Sequence, residues 1–175
     1  INITESLKEN GLDIEMNEVS FSYPMSKKPT LKKVSLSVKA NENVVIAGKN
    51  SSGKSTLIQV IAGLYDIQGG NIAYNNLSLG SLNIESLRSV IGSNLGDEDL
   101  FYGTILENIK VGREKADHDN IKWAIEKVGL TKFIGALPDG YNTVILPNGK
   151  SLPKSIVQKL LIARCIADRP QLVLL

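Results

Sequence analysis

Residues 48–55 of the chain are Gly-Lys-Asn-Ser-Ser-Gly-Lys-Ser, which matches the pattern of glycine, any four residues, glycine, lysine and then serine or threonine. The glycines let the backbone curl so that successive amide groups point at phosphate oxygens, and a helix beginning near Lys54 adds its positive end. The lysine ammonium neutralises β- and γ-phosphate oxygens, and the Ser55 hydroxyl is suited to bind Mg²⁺. The stretch predicts a nucleotide-phosphate site formed by Gly48, Asn50, Ser51, Ser52, Gly53, Lys54, Ser55 and Thr56.

The residues on either side of this loop fit the context that such a loop requires. Residues 44–47 (Val-Val-Ile-Ala) are a short apolar run, typical of a parallel strand that is buried on both faces. Between Thr56 and Tyr65, apolar residues recur at the spacing of one helix face. The succession of strand, glycine loop and helix favours nucleotide binding over the alternative, an ordinary glycine-rich turn.

Patterns elsewhere in the chain predict an α/β fold. Apolar and polar residues alternate in 14–21 and 31–38, which predicts two half-buried strands at the edge of an antiparallel sheet. Apolar stripes predict helices over 119–128 and 155–167, the second ended by Arg169-Pro170. The apolar residues 172–175 predict another buried strand.

Bulk composition narrows the class of protein. The length of 175 residues suits one domain, and the formal charge of +2 comes without any basic run, so nucleic acid is not expected as a partner. The single cysteine, Cys165, excludes a disulfide within the chain and is expected to be a buried thiol. No apolar run reaches about 18 residues, the length of a membrane span. Because the chain starts without Met and stops inside an apolar run, we expect a piece of a longer protein, entered through a polar linker at 1–12.

Further segments carry a family resemblance. Residues 19–24 are Val-Ser-Phe-Ser-Tyr-Pro, residues 100–109 are Leu-Phe-Tyr-Gly-Thr-Ile-Leu-Glu-Asn-Ile, and residues 137–143 are Leu-Pro-Asp-Gly-Tyr-Asn-Thr. Together with the phosphate loop, they resemble the nucleotide-binding domains of ABC transporters, and those of exporters in particular, from Asp13 to the end. The resemblance implies a P-loop NTPase of ABC type: an α/β fold with a mixed central sheet, an antiparallel β edge and a helical subdomain. It also implies ATP and Mg²⁺ as ligands, with Tyr23 stacked on the adenine ring.

The resemblance further implies a domain division and partners. It places the ATP-binding core, with its antiparallel β subdomain, in 13–95 and 153–175, and the helical subdomain in 96–152. The expected partners are the transmembrane domain of an exporter, upstream in the same polypeptide, and a second nucleotide-binding domain in a head-to-tail dimer. The implied location is the cytoplasmic face of the cell membrane.

The chain departs from the family pattern in its signature motif. Where the family has Leu-Ser-Gly-Gly-Gln, the chain has Leu152, Pro153, Lys154, Ser155 and Ile156, and only the leucine agrees. Proline has no amide hydrogen, and neither lysine nor serine allows the close backbone approach of glycine. The contact of this motif with the γ-phosphate held by the partner is therefore expected to be weakened. Lys154 either offers its charge to a phosphate or is a solvated loop lysine.

Other motif positions are changed or lie beyond the chain. Gly96 stands where the family has the glutamine of its Q-loop, and Pro147 replaces the glutamate of the exporter turn before the signature. The Walker B aspartate, the catalytic glutamate and the switch histidine are expected beyond Leu175, and His118 matches none of them, so no catalytic residue is assigned. Three functions follow: an exporter domain that couples ATP binding and hydrolysis to transport, a mainly nucleotide-binding half of an ABC dimer, or a soluble ABC-type ATPase.

Overall fold

A computed structural model describes residues 1–7, 11–95, 99–111 and 116–175 of the chain. The described residues form two compact units, one of residues 1–91 and one of residues 92–173, and the last two residues are divided between them. In these described ranges, no helix is both long enough and apolar enough to cross a lipid bilayer.

The first unit contains a four-stranded antiparallel sheet. Its strands are β1 (Ile14–Phe21), β2 (Leu31–Val38), β3 (Gly69–Tyr74) and β4 (Leu77–Ser78). They lie in the order β2-β1-β3-β4. The apolar alternation of β1 changes phase between Met16 and Val19, where a bulge shifts the register and gives Glu18 a φ of +48°. Apolar residues on both sides of the bulge are therefore buried, and the two predicted strands are confirmed.

Helix α1 (Lys54–Ile61) follows the glycine loop, as predicted, but it is shorter than expected. Gly63 takes a φ of +67°, and the N–H of Leu64 donates back to the Gln59 carbonyl at 3.0 Å. This left-handed cap satisfies the last carbonyls of the helix, so the helix stops at Ile61 and not at Tyr65.

The C-terminal end of α1 is tied to the rest of the first unit. The Tyr74 hydroxyl of β3 donates to the Ile61 carbonyl, and burial raises the pKa of Tyr74. Arg88, the last residue of α2 (Ile84–Arg88), donates from Nη2 to the Gly63 carbonyl at 2.7 Å. These contacts fix the helix that carries the phosphate loop at the end opposite the loop.

Residues 44–47 do not form the predicted strand. No sheet in the described part of the chain includes them, and Val44 and Val45 are 44% and 90% exposed. A parallel strand needs neighbours at its edges, because its N–H and C=O groups otherwise lack hydrogen-bond partners. The apolar run indicated β propensity without showing that a neighbour would pair with it, and the prediction was wrong.

The second unit is mainly helical. From residue 91 onward the elements are β5 (Ile91–Ser93), β6 (Gly103–Thr104), α3 (Ile105–Lys110), α4 (His118–Lys127), α5 (Thr131–Gly135), β7 (Val144–Ile145), α6 (Lys154–Ile166) and β8 (Leu172–Leu174). Strand β5 pairs with β8, and β6 pairs with β7. Helices α3 and α4 pack against α6 around an apolar core. The helices predicted over 119–128 and 155–167 and the strand predicted over 172–175 are confirmed to within one residue at each end, but the strand is only partly buried, since Val173 is 40% exposed.

Trp123 links α4 to the segment that follows α6. The Arg169 guanidinium carbon lies 4.7 Å from the centroid of the Trp123 ring, and its Nε donates to the Asn120 Oδ1 at 2.6 Å. The Lys127 ammonium is 6.0 Å from the same ring. The negatively polarised face of the Trp123 ring attracts both cations.

The division into compact units differs from the division that the family resemblance implies. Helix α6 packs on α3 and α4 within the second unit, whereas the resemblance groups 153–175 with 13–95. Within the expected linker 1–12, Ile3 is fully buried and its N–H donates to the Ser86 Oγ at 3.2 Å. The assignment to an ATP-binding core and a helical subdomain stays a prediction.

Candidate nucleotide-binding site

The glycine loop has the backbone geometry of an anion site. Ser51 and Gly53 have positive φ values of +62° and +91°, which turn the chain into the start of α1. Gly53 is the N-cap and makes no side-chain cap hydrogen bond, so the N–H groups of Lys54, Ser55 and Thr56 have no acceptor within the helix. These donors, together with the positive end of the helix dipole, favour a bound anion.

A cavity of about 270 Å³ is lined by this loop. Its lining offers hydroxyl groups and one ammonium group, and no carboxylate among the described residues takes part in it. Only glycine fits at position 53, because a Cβ there would lie 3.0 Å from the Thr30 carbonyl oxygen on a backbone with positive φ. Such a lining fits phosphate groups and, through the exposed Ser55 hydroxyl, a Mg²⁺ ion bound to them. The lining residues are Thr30, Ser51, Ser52, Gly53, Lys54, Ser55 and Thr56.

The Lys54 ammonium lies over the loop. Its Nζ donates to the carbonyl oxygens of Gly48 and Lys49, at 2.8 Å and 2.7 Å. Both acceptors are neutral, and a phosphate oxygen makes a stronger, charge-assisted hydrogen bond with an ammonium. The ammonium is thus already held beside the cavity by bonds that a phosphate can replace.

Tyr23 lies next to the helix that follows the loop. Its hydroxyl is 2.9 Å from the Thr56 Oγ1, and it donates to the Gln59 Oε1 at 3.4 Å. Thr56 is buried, and its hydroxyl is paired with the Tyr23 hydroxyl. The Thr56 N–H, in the first turn of α1, has no acceptor within the helix. The structure brings together two residues that the sequence predicted separately, one for the base and one for the phosphates.

Two aromatic rings support Tyr23, and sequence reasoning gave neither of them a role. The Tyr23 ring centroid is 5.0 Å from that of Phe21 and 5.5 Å from that of Tyr65, both edge-to-face. Phe21 and Tyr65 stack on each other at 5.0 Å. Partial desolvation, and then the adjacent Tyr23, raise the pKa of Tyr65. Phe21 was part of the quoted 19–24 segment, but nothing in the spacing of Tyr65 indicated that it would meet that segment.

The family model for ABC transporters matches residues 31–175. The chain belongs to the ABC transporter family. It is 35% identical over 167 residues to a multidrug efflux ATP-binding/permease protein of Mycobacterium bovis (strain BCG / Pasteur 1173P2). The matched region covers 95% of this chain and 14% of that protein. It is also 36% identical over 162 residues to the mitochondrial iron-sulfur clusters transporter ATM1 of Debaryomyces hansenii, and this match covers 93% of this chain and 23% of that protein.

A solved ABC exporter shares the fold. The structure of a bacterial Atm1-family ABC exporter with ATP bound matches with a TM-score of 0.85 and 29% sequence identity, over 95% of this chain and 29% of that chain. The resemblance to exporter nucleotide-binding domains and the ABC type of P-loop NTPase fold are therefore confirmed. The chain spans less than a third of each of these related proteins.

The residues predicted at the signature position, 152–156, lie at the start of α6. Pro153 is the N-cap of that helix, and its carbonyl accepts from the N–H groups of Ile156 and Val157 at 2.9 Å and 3.1 Å. Lys154 and Ser155 are exposed as the first two residues of the helix, and Leu152 is half-buried. Since proline has no N–H, the helix start has one backbone donor fewer than a serine at this position would provide.

The remaining ABC motif positions are only partly described. Gly96, which the sequence predicts at the position of the family glutamine, lies outside the described residues. Pro147 is exposed at the start of a short 3-10 turn, Pro147–Gly149. His118 is the first residue of α4, with its ring centroid 6.3 Å from that of Tyr141. Neither Pro147 nor His118 is among the residues that line the cavity.

The exporter-like segment 100–109 is organised by Asn108, a buried residue to which the sequence assigned no role. Its Nδ2 donates to the carbonyls of Phe101 and Thr104, both at 3.0 Å, and its Oδ1 accepts from the Phe101 N–H at 3.0 Å. Arg164 of α6 donates to the same Oδ1 at 3.2 Å and to the Asn108 carbonyl at 2.7 Å. Residues 108 and 164 are far apart in sequence, and nothing in either local pattern indicated that they would meet.

Helix α3 of this segment starts with a capping box. Thr104 accepts from the Glu107 N–H at 3.1 Å, and the Glu107 carboxylate accepts from the Thr104 N–H at 2.7 Å. The Thr104 N–H, and after it the Thr104 hydroxyl, which donates to the same carboxylate at 3.0 Å, lower the pKa of Glu107. The box and the Asn108 hydrogen bonds together fix the loop that precedes α3.

Proposed function

We propose that the chain is the ATP-binding domain of an exporter that couples ATP binding and hydrolysis to transport across a membrane. The observation that carries the proposal is the segment 51–56, whose residues offer amides, an ammonium and hydroxyls around one cavity, with no carboxylate among its described lining residues. The related proteins named above support it, since they include an efflux ATP-binding/permease protein and an exporter with ATP bound. The proposed partner is an upstream transmembrane domain, and the proposed location is the cytoplasmic face of the cell membrane.

Each residue of the site has a separate task in this proposal. Lys54 exchanges the carbonyls of Gly48 and Lys49 for β- and γ-phosphate oxygens, and the N–H groups at the start of α1 donate to the phosphates. Tyr23 presents its ring to the adenine. Mg²⁺, held in part by the Ser55 hydroxyl, neutralises phosphate charge when it is bound.

We further propose that the domain works in an asymmetric head-to-tail pair. Its own loop at 48–56 meets the signature motif of the partner, while the loop of the partner meets Pro153, Lys154 and Ser155 here. The lost N–H at Pro153 and the two exposed side chains at the start of α6 support weaker contact with the partner's nucleotide. The site completed by residues 152–156 is then the one that holds nucleotide and turns it over slowly.

The asymmetry is tested by trapping radiolabelled nucleotide in the whole dimer and measuring turnover at each site. We expect unequal turnover, and the combined change Pro153→Ser, Lys154→Gly and Ser155→Gly is expected to speed the slow site by about tenfold. That factor corresponds to about 1.4 kcal/mol of transition-state stabilisation, the worth of one hydrogen bond to a charged group. Comparable turnover at both sites before any change would contradict the proposal.

The role of Tyr23 is tested by Tyr23→Ala. We expect ATP binding to weaken by about 1–3 kcal/mol, which is the range for stacking of a base on an aromatic side chain. Calorimetric titration of the whole protein measures the change. Tyr102→Ala is the matched control, because Tyr102 is a 68% exposed tyrosine of the second unit, whereas the Tyr23 hydroxyl lies 2.9 Å from the Thr56 Oγ1 beside the cavity. Equal affinities of the Tyr23→Ala and unmodified proteins would reduce Tyr23 to an ordinary loop aromatic.

A further inference from the structure

Gln68 extends the pairing of two strands by means of its side chain. The N–H of Gln68, just before β3, donates to the Ser20 carbonyl of β1 at 3.0 Å. Its side-chain amide then bonds both backbone groups of Ser22: Oε1 accepts from the Ser22 N–H at 2.6 Å, and Nε2 donates to the Ser22 carbonyl at 3.0 Å. The amide thus takes the place of one more peptide group of β3, beyond the last residue of β1.

This amide pair holds the residue immediately before Tyr23. On the other side, the Tyr23 carbonyl accepts from the Ser26 N–H at 3.0 Å, across a turn in which Met25 has a φ of +65°. The side chain of Tyr23 is fixed at its hydroxyl by Thr56. The backbone of Tyr23 is therefore held on both sides, and the Gln68 amide is the side chain that holds the residue before it.

We propose that Gln68 is a positioning residue for nucleotide binding, which sets the Tyr23 ring in the place where it meets the adenine. The inference rests on the proposed role of Tyr23. Without the amide of Gln68, the Ser22 N–H and carbonyl bond to water, and the segment that carries Tyr23 is released from the edge of β3. The ring then spends less of its time in the binding position, and apparent affinity falls in proportion to that fraction.

The dependence on the base separates this role from a general effect on the fold. Inorganic tripolyphosphate offers the phosphates of ATP but no ring, so its binding requires the loop at 48–56 and not Tyr23. A change that only loosened the first unit would weaken both ligands alike. A change that acts through the position of Tyr23 weakens ATP alone.

The test uses the whole protein with Gln68→Met, which keeps the length of the side chain and removes its hydrogen bonds. We expect Mg-ATP to bind about fivefold more weakly, as for a fall of the competent fraction to about a fifth, and Mg-tripolyphosphate to bind within about twofold of the unmodified protein. Gln171→Met is the control, because Gln171 is a partly exposed glutamine outside the site, and it should change neither affinity. Unchanged ATP affinity in Gln68→Met, or equal weakening of both ligands, would overturn the inference.

The Tyr23→Ala background separates this inference from the proposal beneath it. If Gln68 acts through Tyr23, the double variant binds ATP no more weakly than Tyr23→Ala alone, and a further loss would overturn the inference. If Tyr23→Ala weakens ATP binding as expected while Gln68→Met leaves ATP affinity unchanged, the role of Gln68 is overturned and base stacking on Tyr23 stands. An unchanged Tyr23→Ala overturns base stacking and this inference together.

Discussion

Lys54→Ala is expected to weaken Mg-ATP binding by more than about 100-fold. A hydrogen bond to a charged group contributes about 1.5–3 kcal/mol, and the ammonium donates to two phosphates, so about 3–6 kcal/mol is at stake. Part of this is offset in the unmodified protein, since Lys54 gives up its bonds to the carbonyls of Gly48 and Lys49 when a phosphate takes their place. The net loss is nevertheless large, because alanine leaves the phosphates without the nearest cation that lines the cavity.

Calorimetric titration of the whole protein with Mg-ATP measures this loss. Lys49→Ala provides a matched control: it removes a lysine of the same loop that does not line the cavity, so affinity should stay within about twofold if the effect requires direct contact and not long-range charge. If Lys54→Ala bound Mg-ATP as well as the unmodified protein, the loop at 48–55 would not be the phosphate site.

Asn108→Ala is expected to destabilise the second unit by about 3 kcal/mol. The change leaves the N–H and carbonyl of Phe101 and the Thr104 carbonyl without their side-chain partner, and it removes one acceptor of Arg164. Each buried polar group that loses its partner costs about 1–3 kcal/mol. The effect should be strongest in the loop before α3, which these bonds hold.

Hydrogen exchange in the whole protein measures the effect, because it reports the free energy of local opening segment by segment. We expect the amides of α3 and of the loop before it to exchange on the order of 100-fold faster, as about 3 kcal/mol implies. Asn142→Ala is the matched control, since Asn142 is exposed and belongs to the same unit. Unchanged protection in Asn108→Ala would show that the loop is held by its capping box and apolar packing alone.

Local sequence patterns predicted those elements whose formation depends on residues close together in the sequence. The alternation in 14–21 and the stripe in 119–128 each describe one face of one element, and both elements formed to within one residue. The phosphate loop was predictable for the same reason, because its donors are backbone amides of consecutive residues and need only the right φ values. The strand prediction for residues 44–47 was wrong because a strand depends on neighbouring strands, which its own sequence does not specify.

The contacts that position Tyr23, and those that hold the segment 100–109, are of another kind. Tyr23 meets Thr56, Ser22 meets Gln68, and Asn108 meets Arg164 across gaps of 33, 46 and 56 residues. Each contact consists of hydrogen bonds between individual polar atoms, and no periodicity or composition of the sequence marks either partner. These long-range hydrogen bonds were thus beyond sequence reasoning, even where the quoted motifs contained the residues that make them.

The Arg169 and Lys127 cations beside Trp123 have a consequence for spectroscopy. Trp123 is the single tryptophan of this chain, and it lies in the second unit, on α4, whereas the proposed adenine contact is a tyrosine of the first. Indole emission depends on nearby charge, so its intensity and wavelength here follow the distance between the ring and the guanidinium. In this domain, a fluorescence change on adding nucleotide is therefore expected to report movement between α4 and the end of α6.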